Sequence, residues 1–329
     1  MTAYIVRRLL LLIPTLLIIT MVVFLSVRFI PGNVVDVMIS QMGLTGTTYE
    51  EDKALIEKEL GLDVSIPLQY ARWLGVAPQD DGKIHGVLEG DLGTSLWKKQ
   101  SVLDMLLERL PVSIELGLIA LLTALVTSIP VGIYSAIRQD TWGDYLGRSI
   151  SIIFISVPSF WIATMVMIYP GIWWGWSPQI QYIPLLKNVS ANLLQFLIPG
   201  FIMGMVVGGS LMRMTRTMML ESLRQDYIRT AWAKGLQEGT VVFRHALKNA
   251  MIPVVTMVGM MVPMVLGGTI IMEQIFALPG VGLLMFNSLN SRDYPVISGI
   301  NIFLATVVLL TNLVVDLTYA WLDPRVQYK

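Results

Sequence analysis

Six stretches of this chain are long and apolar enough to cross a membrane, and they leave few alternatives for its fold. Crossing ~30 Å of hydrocarbon takes roughly 20 mostly apolar residues. Segments near 9–29, 113–136, 149–169, 195–214, 251–272 and 297–321 meet that requirement. In lipid every backbone N–H and C=O must be bonded within its own segment, so each run is predicted to be a helix. Only 14% of the 329 residues are charged, against about 25% in a typical soluble domain. The formal net charge is zero, which gives nucleic acid no electrostatic reason to bind. There is no cysteine, and the two histidines are His85 and His245. That excludes a disulfide framework and thiolate chemistry, and leaves no histidine-built metal site. The reading is an all-α membrane protein with six transmembrane helices.

The first run, Leu9–Phe29, follows Arg7 and Arg8. The apolar region of a cleaved signal peptide is about 7–15 residues long. This one is longer and ends in Arg28-Phe29-Ile30-Pro31, so a retained helix is expected. Orientation follows from Lys and Arg in short loops. With the N-terminus inside, segments 1–8, 137–148, 215–250 and 322–329 carry twelve basic residues, whereas 170–194 and 273–296 carry only Lys187 and Arg292. Both termini are therefore expected to be cytoplasmic.

Segment 30–112 is too long for a plain loop. Glu50–Gly61 reads as a helix closed by Gly61, and Ile66–Leu74 as a second, opened by Pro67. Val102–Leu110 is amphipathic and leads into the second span through Pro111. The expectation is a small helical extracytoplasmic cap, serving either as a scaffold over the pore mouth or as a binding domain. The expected division is residues 1–29 as a cytoplasmic stub with the first span, 30–112 as the cap, and 113–329 as the core. Trp173, Trp174 and Trp176 fit an interfacial aromatic belt or a stacking surface for substrate.

The loop after the fourth span is polar, basic and patterned. Asp226 is predicted to cap a short helix Tyr227–Lys234, ended by Gly235. Gln237-Glu238-Gly239 turns the chain, and a second helix runs from Thr240 toward Pro253. Ala231 and Ala233 keep the prong slim, and Arg229, Lys234, Arg244 and Lys248 offer charge. Such a prong suits docking into a partner. A basic loop that contacts lipid head groups fits the same composition.

Residues along almost the whole chain carry a family resemblance. Tyr227-Ile228-Arg229-Thr230-Ala231-x-Ala233-Lys234-Gly235-Leu236 and Arg244-His245-Ala246-Leu247-x-Asn249-Ala250-x-x-Pro253 resemble the cytoplasmic "EAA" loop of binding-protein-dependent ABC importer permeases. The peptide-permease branch (dipeptide, oligopeptide or peptide/nickel) is the nearest version. The family's leading Glu falls on Arg229, and Thr230 replaces its first Ala. Arg7-Arg8-Leu9-Leu10 with Pro14 and Pro31-Gly32, Leu60-Gly61-Leu62-Asp63 with Gln69-Tyr70, and Gly90-Asp91-Leu92-Gly93-x-Ser95 are similar to the B-type subunit. So are Arg109-Leu110-Pro111-x-Ser113-Ile114-Glu115-Leu116 and Glu273-x-x-Phe276-x-x-Pro279-Gly280-x-Gly282. Asn290-x-Arg292-Asp293-Tyr294-Pro295 and Asp316-Leu317-x-Tyr319-Ala320-x-Leu322-Asp323-Pro324-Arg325 complete the series. The departures are Asn33, where an acid is common, and the stretch 73–89.

The resemblance implies a type I ABC importer permease in a bacterial or archaeal plasma membrane. It would be paired with a homologous second permease subunit, two ABC ATPase subunits and an extracytoplasmic substrate-binding protein. ATP and Mg would belong to the ATPases. This chain has no G-x-x-x-x-G-K-[ST] phosphate loop and is expected to bind no cofactor or metal and to catalyse nothing itself. The resemblance places ATPase docking on Asp226, Tyr227, Arg229, Thr230, Ala231, Ala233, Lys234, Gly235 and Leu236. Candidates for the gate or pathway are Glu273, Phe276, Pro279, Gly280, Gly282, Met260 and Met264. Glu115 and Asp316 are acids in or near spans, where ionisable groups are functional candidates. They are expected to bond near helix ends, or to relay protons if the chain is a proton-coupled carrier. Gly204, Gly208, Gly209, Gly259, Gly267 and Gly268 are expected at close helix contacts. The cargo stays open among peptides, oligosaccharides and nickel complexes.

Overall fold

The computed structural model describes residues 2–29, 35–36, 39, 49–59, 61–80, 82–179 and 181–322. Pro31, Gly32, Asn33, Leu60 and Asp323 to Arg325 lie outside them, as do the side chains of Met264 and Asp316. The described residues are predominantly helical, with irregular stretches within 75–101 and 175–188. Five helices are long and apolar enough to cross a membrane, and a bent pair makes a sixth if counted as one span.

Helix α1 is Thr2–Arg28, a run of Leu and Ile with no charge between Arg8 and Arg28. Helices α2 (Tyr49–Glu59) and α3 (Ile66–Leu74) follow. Gly61 (φ +61°) closes the turn after α2, its N–H bonded to Lys58 O. Pro67 sits in the first turn of α3 and Gly75 ends it at φ +89°. Both helices match their sequence expectation. Helix α4, Val102–Ile137, absorbs both the amphipathic lead and the second span. Pro111 does not separate them. At 1.5 Å per residue it is ~54 Å long, well beyond the ~30 Å hydrocarbon core.

The third apolar run is not one helix. Helices α5 (Trp142–Ser156) and α6 (Ser159–Trp174) meet at 90°. Pro158 is the cause: it has no N–H to donate, and it forces the preceding residue out of the helical region. Val157 accordingly lies at φ −91°, ψ 125°. Helix α7, Val189–Leu223, starts at Asn188, whose side chain accepts the Ala191 N–H. A short helix α8 (Asp226–Ala233) is followed by a turn Glu238–Thr240, one π-helical turn Val241–Ala246, and helix α9, Leu247–Ile275. Helices α10 (Val281–Ser291) and α11 (Tyr294–Leu322) complete the chain.

Two compact units emerge from the packing. One comprises Met1–Ile5, Leu110–Leu283 and Val307–Lys329; the other comprises Val6–Arg109 and Leu284–Thr306. In the first, α7 packs on α5, α6 and α9 around Leu116, Phe196, Leu211, Met272 and Leu278. Small residues let the backbones approach. A Cβ on Gly204 would strike Thr123 and Ala120 of α4, one on Gly208 would strike Ser128, and one on Gly209 would strike Ser151 and Ile155 of α5. Gly259 faces Val315, whereas Gly267 has open space; Gly268 lies among the undescribed side-chain positions. In the second unit, Phe24 of α1 packs against Tyr70 and Trp73 of α3, and Thr20 and Tyr70 share a 2.8 Å hydrogen bond.

Candidate functional site

Helix α8 has one buried face and one exposed face. Ile228 (1% exposed) and Ala231 fall on the same side and pack with Met219, Val241, Val242, Ala246 and Ala250. Asp226, Tyr227, Arg229, Thr230, Trp232, Ala233, Lys234 and Gly235 are exposed. The N-cap is Gln225, not Asp226; Asp226 is the first helical residue and pairs with Arg229 at 3.2 Å. A carboxylate in the first turn is favourable against the helix dipole all the same. Lys234 caps the far end and Gly235 follows at φ +73°, a left-handed position suited to glycine. Leu236 is partly buried against the same cluster as Ile228.

Hydrogen bonds fix α8 to the helices either side. The Tyr227 hydroxyl bonds Ser222 Oγ at 2.8 Å and accepts from Asn249 Nδ2 at 2.9 Å. Ser222 Oγ also donates to Ala246 O within the π turn. A surface helix of eight residues is marginal alone, so these anchors supply its rigidity. The sequence expectation of a slim prong changes in one respect: Ala231 faces inward and lets α8 lie close to its own support. Ala233 is exposed.

The segment after α9 is organised by a buried acid. Glu273 is 0% exposed. Its Oε1 accepts from Ser113 Oγ at 2.6 Å and its Oε2 from Leu283 N at 2.8 Å. Ser113 Oγ in turn accepts from Val281 N. The carboxylate therefore sits at the N-terminus of α10, where free N–H groups and the helix dipole favour an anion. Gly280 is required there, because a Cβ would overlap the carboxylate, and a Cβ on Gly282 would overlap Ile270. Phe276 is buried and Pro279 is partly buried. Of the candidates for gate or pathway, Met260 alone among the described side chains is strongly exposed, at 67%.

Glu115 lies well inside α4, because the helix begins at Val102 ahead of the apolar run. It accepts a long hydrogen bond, 3.4 Å, from Asn192 of α7. Three features escaped the sequence reading. Trp232 is a large exposed aromatic, 47%, in the last turn of α8; its flanking alanines are the one local signal. Asp144 of α5, fully buried, holds Arg216 of α7 through two 2.8 Å bonds. Gln195 closes the loop before α7 by donating to Gln179 O and Gln181 O. The last two join residues distant in sequence. Trp173 and Trp174 are exposed at the end of α6, and Trp173 packs on Tyr169.

Residues 128–328 match the model of the binding-protein-dependent transport system inner membrane component, and residues 1–117 match its N-terminal companion. The chain belongs to this permease family. It is 37% identical over 328 residues to a putative peptide transport system permease protein of Brucella abortus, covering all of both chains. It is 35% identical over 331 residues to the oligopeptide transport system permease protein AppB of Bacillus subtilis, and 34% over 352 residues to the dipeptide transport system permease protein DppB of Escherichia coli, again over the full length of each. The permease family is a transport component and not itself catalytic, and the apolar helices make this member a multi-pass membrane protein. Among the described residues no group of three or more His, Cys, Asp or Glu is placed to hold a metal ion.

Proposed function

We propose that this chain is the membrane-spanning permease subunit of an ATP-driven importer that takes up di- or oligopeptides. The full-length likeness to relatives named for peptide, dipeptide and oligopeptide transport supports that cargo. In this reading α5 and α6 together count as one of six spans, residues 30–112 form an extracytoplasmic cap, and 113–329 form the core with both termini cytoplasmic. The subunit pairs with a homologous permease, beneath a substrate-binding protein and above two ATPases that hold ATP and Mg.

The observation that carries the mechanism is the two-faced α8. Its inner face is bonded and packed to α7 and α9, so a push on its outer face moves those helices as a body. Closure of the ATPase pair on ATP would thus rock the spans between outward-open and inward-open states. Tyr227, Arg229, Thr230, Trp232, Ala233 and Lys234 form the docking face, and Asp226, Ala231, Gly235 and Leu236 shape it. Glu273 holds Pro279-Gly280-x-Gly282 as a formed gate segment, while Met260 faces the pathway. A flexible thioether suits cargo of varied side chains.

The test is uptake in proteoliposomes holding both permeases, the ATPases and the binding protein. With Trp232→Ala, peptide uptake is expected to fall at least tenfold while the chain still inserts. Unchanged coupled uptake would remove α8 from the docking face. Stimulation by oligosaccharides or nickel complexes, with none by peptides, would replace the cargo and leave the coupling intact.

A further inference from the structure

The second compact unit contains a cavity of about 280 Å³, close to the lower end of the ~300–1,000 Å³ usual for small-ligand sites. Phe24, Arg28, Gln69, Arg72, Trp73 and Tyr294 are among its lining residues. Three features make it a polar site and not a packing gap. Arg28 is the last residue of α1 and its guanidinium lies 5.2 Å from the Phe24 ring centre. No carboxylate among the described residues lies within ion-pair distance of it. Arg72 is held by Asp80 at 2.8 Å through Nη2, while its buried Nε has no partner. Gln69 is only 9% exposed; its amide nitrogen is spent on Val64 O and Leu62 O, and its buried Oε1 has no acceptor role filled. A buried polar atom left unpaired forfeits the hydrogen bond it would make to water, so both atoms favour a bound group that completes them.

The chemistry required is an anion beside a hydrogen-bond donor. Arg28 takes the anion, as guanidinium groups do phosphate; Arg72, its charge shared with Asp80 on the cavity wall, adds its free Nε–H as a second donor, and Gln69 Oε1 accepts from the donor. The location decides the source. Arg28 ends the apolar span Leu10–Arg28, most of which is not buried by the rest of the protein. Leu10, Leu17, Ile18, Met21 and Val22 are exposed along it. Acyl chains lying on that face would end at Arg28, at headgroup depth. We propose that this cavity binds the headgroup of a membrane phospholipid whose phosphate is followed by an N–H or O–H donor, as in phosphatidylethanolamine or phosphatidylglycerol. Phosphatidylcholine supplies the phosphate without the donor. The site is independent of the cargo reading above.

The test is native mass spectrometry of the full chain in detergent, with phosphatidylethanolamine, phosphatidylglycerol and phosphatidylcholine added in turn. Retention of the first two is expected to exceed that of the third about tenfold. Gln69→Leu should remove this preference and leave weak retention of all three. Arg28→Gln should lower retention of all three, and Arg28→Lys should keep most of it, which separates lost charge from a failure to fold. Equal retention of the three lipids by the unaltered chain would overturn the proposal, as would retention unaffected by Arg28→Gln. Displacement of bound lipid by inorganic phosphate or by a dipeptide at millimolar concentration would also overturn it, by assigning the site to a soluble anion.

Discussion

At Gly235 the backbone sits at φ +73° and an added Cβ would meet nothing within 4 Å. A substitution there is strained but not crowded. A β-branched residue forced into the left-handed region costs ~1–2 kcal/mol, so Gly235→Val is expected to unwind the end of α8, whereas Gly235→Asn tolerates the conformation. Uptake and ATPase rates in proteoliposomes check this: Val should uncouple hydrolysis from uptake at least tenfold, and Asn should retain coupling. The Asp144–Arg216 pair behaves differently, because Asp144 is fully buried. Removing one member of a buried pair strands the other and costs ~3–5 kcal/mol. Asp144→Leu is expected to lower the melting temperature in detergent sharply, and the double change Asp144→Leu with Arg216→Met is expected to recover more than half of the loss. Glu273 shows why such residues are hard to read from sequence. Its nearness to Pro279-Gly280 is visible, but the fold-back that puts the carboxylate against Ser113 and Leu283 N is a tertiary fact. Trp232 was obscured for another reason: within Ala231-Trp232-Ala233, only the packing of Ile228 and Ala231 tells which face points out.

Among the helices, existence was legible and length was not. Hydropathy marks where lipid begins, but helical hydrogen bonding continues into water, so α4 and α7 extend to 36 and 35 residues past the apolar runs at 113–136 and 195–214. Proline was an ambiguous guide. Pro14, Pro111, Pro130, Pro170, Pro199, Pro253 and Pro263 all lie inside helices, and Pro158 alone among the described prolines makes a right-angle bend. Nothing in the apolar run 149–169 separates it from the others. Glycine position was legible for α7, where Gly204 and Gly208 share a face at i,i+4. Overpacking a tight contact costs ~1–3 kcal/mol. Gly208→Val, against Ser128, is therefore expected to destabilise the chain, whereas Gly267→Val, with open space around it, is expected to leave the melting temperature within a degree or two.

For the molecule as a whole, the proposed orientation rests on the basic loops of the sequence, and the proposed coupling rests on the two-faced α8 packed on α7 and α9. These two arguments are independent and converge on segment 215–250. The absence of cysteine from the chain allows them to be tested together with single introduced thiols. Thr230 is exposed on α8 and Ile228 is buried beneath it. Membrane vesicles of both orientations are treated with an impermeant maleimide, with and without the ATPase subunits assembled. Thr230→Cys is expected to react only where the cytoplasmic face is outermost, and to become protected when the ATPases bind, while Ile228→Cys stays unreactive throughout. Labelling of Thr230→Cys from the opposite face, or reactivity unchanged by ATPase assembly, would contradict the assignment of α8 as the coupling element.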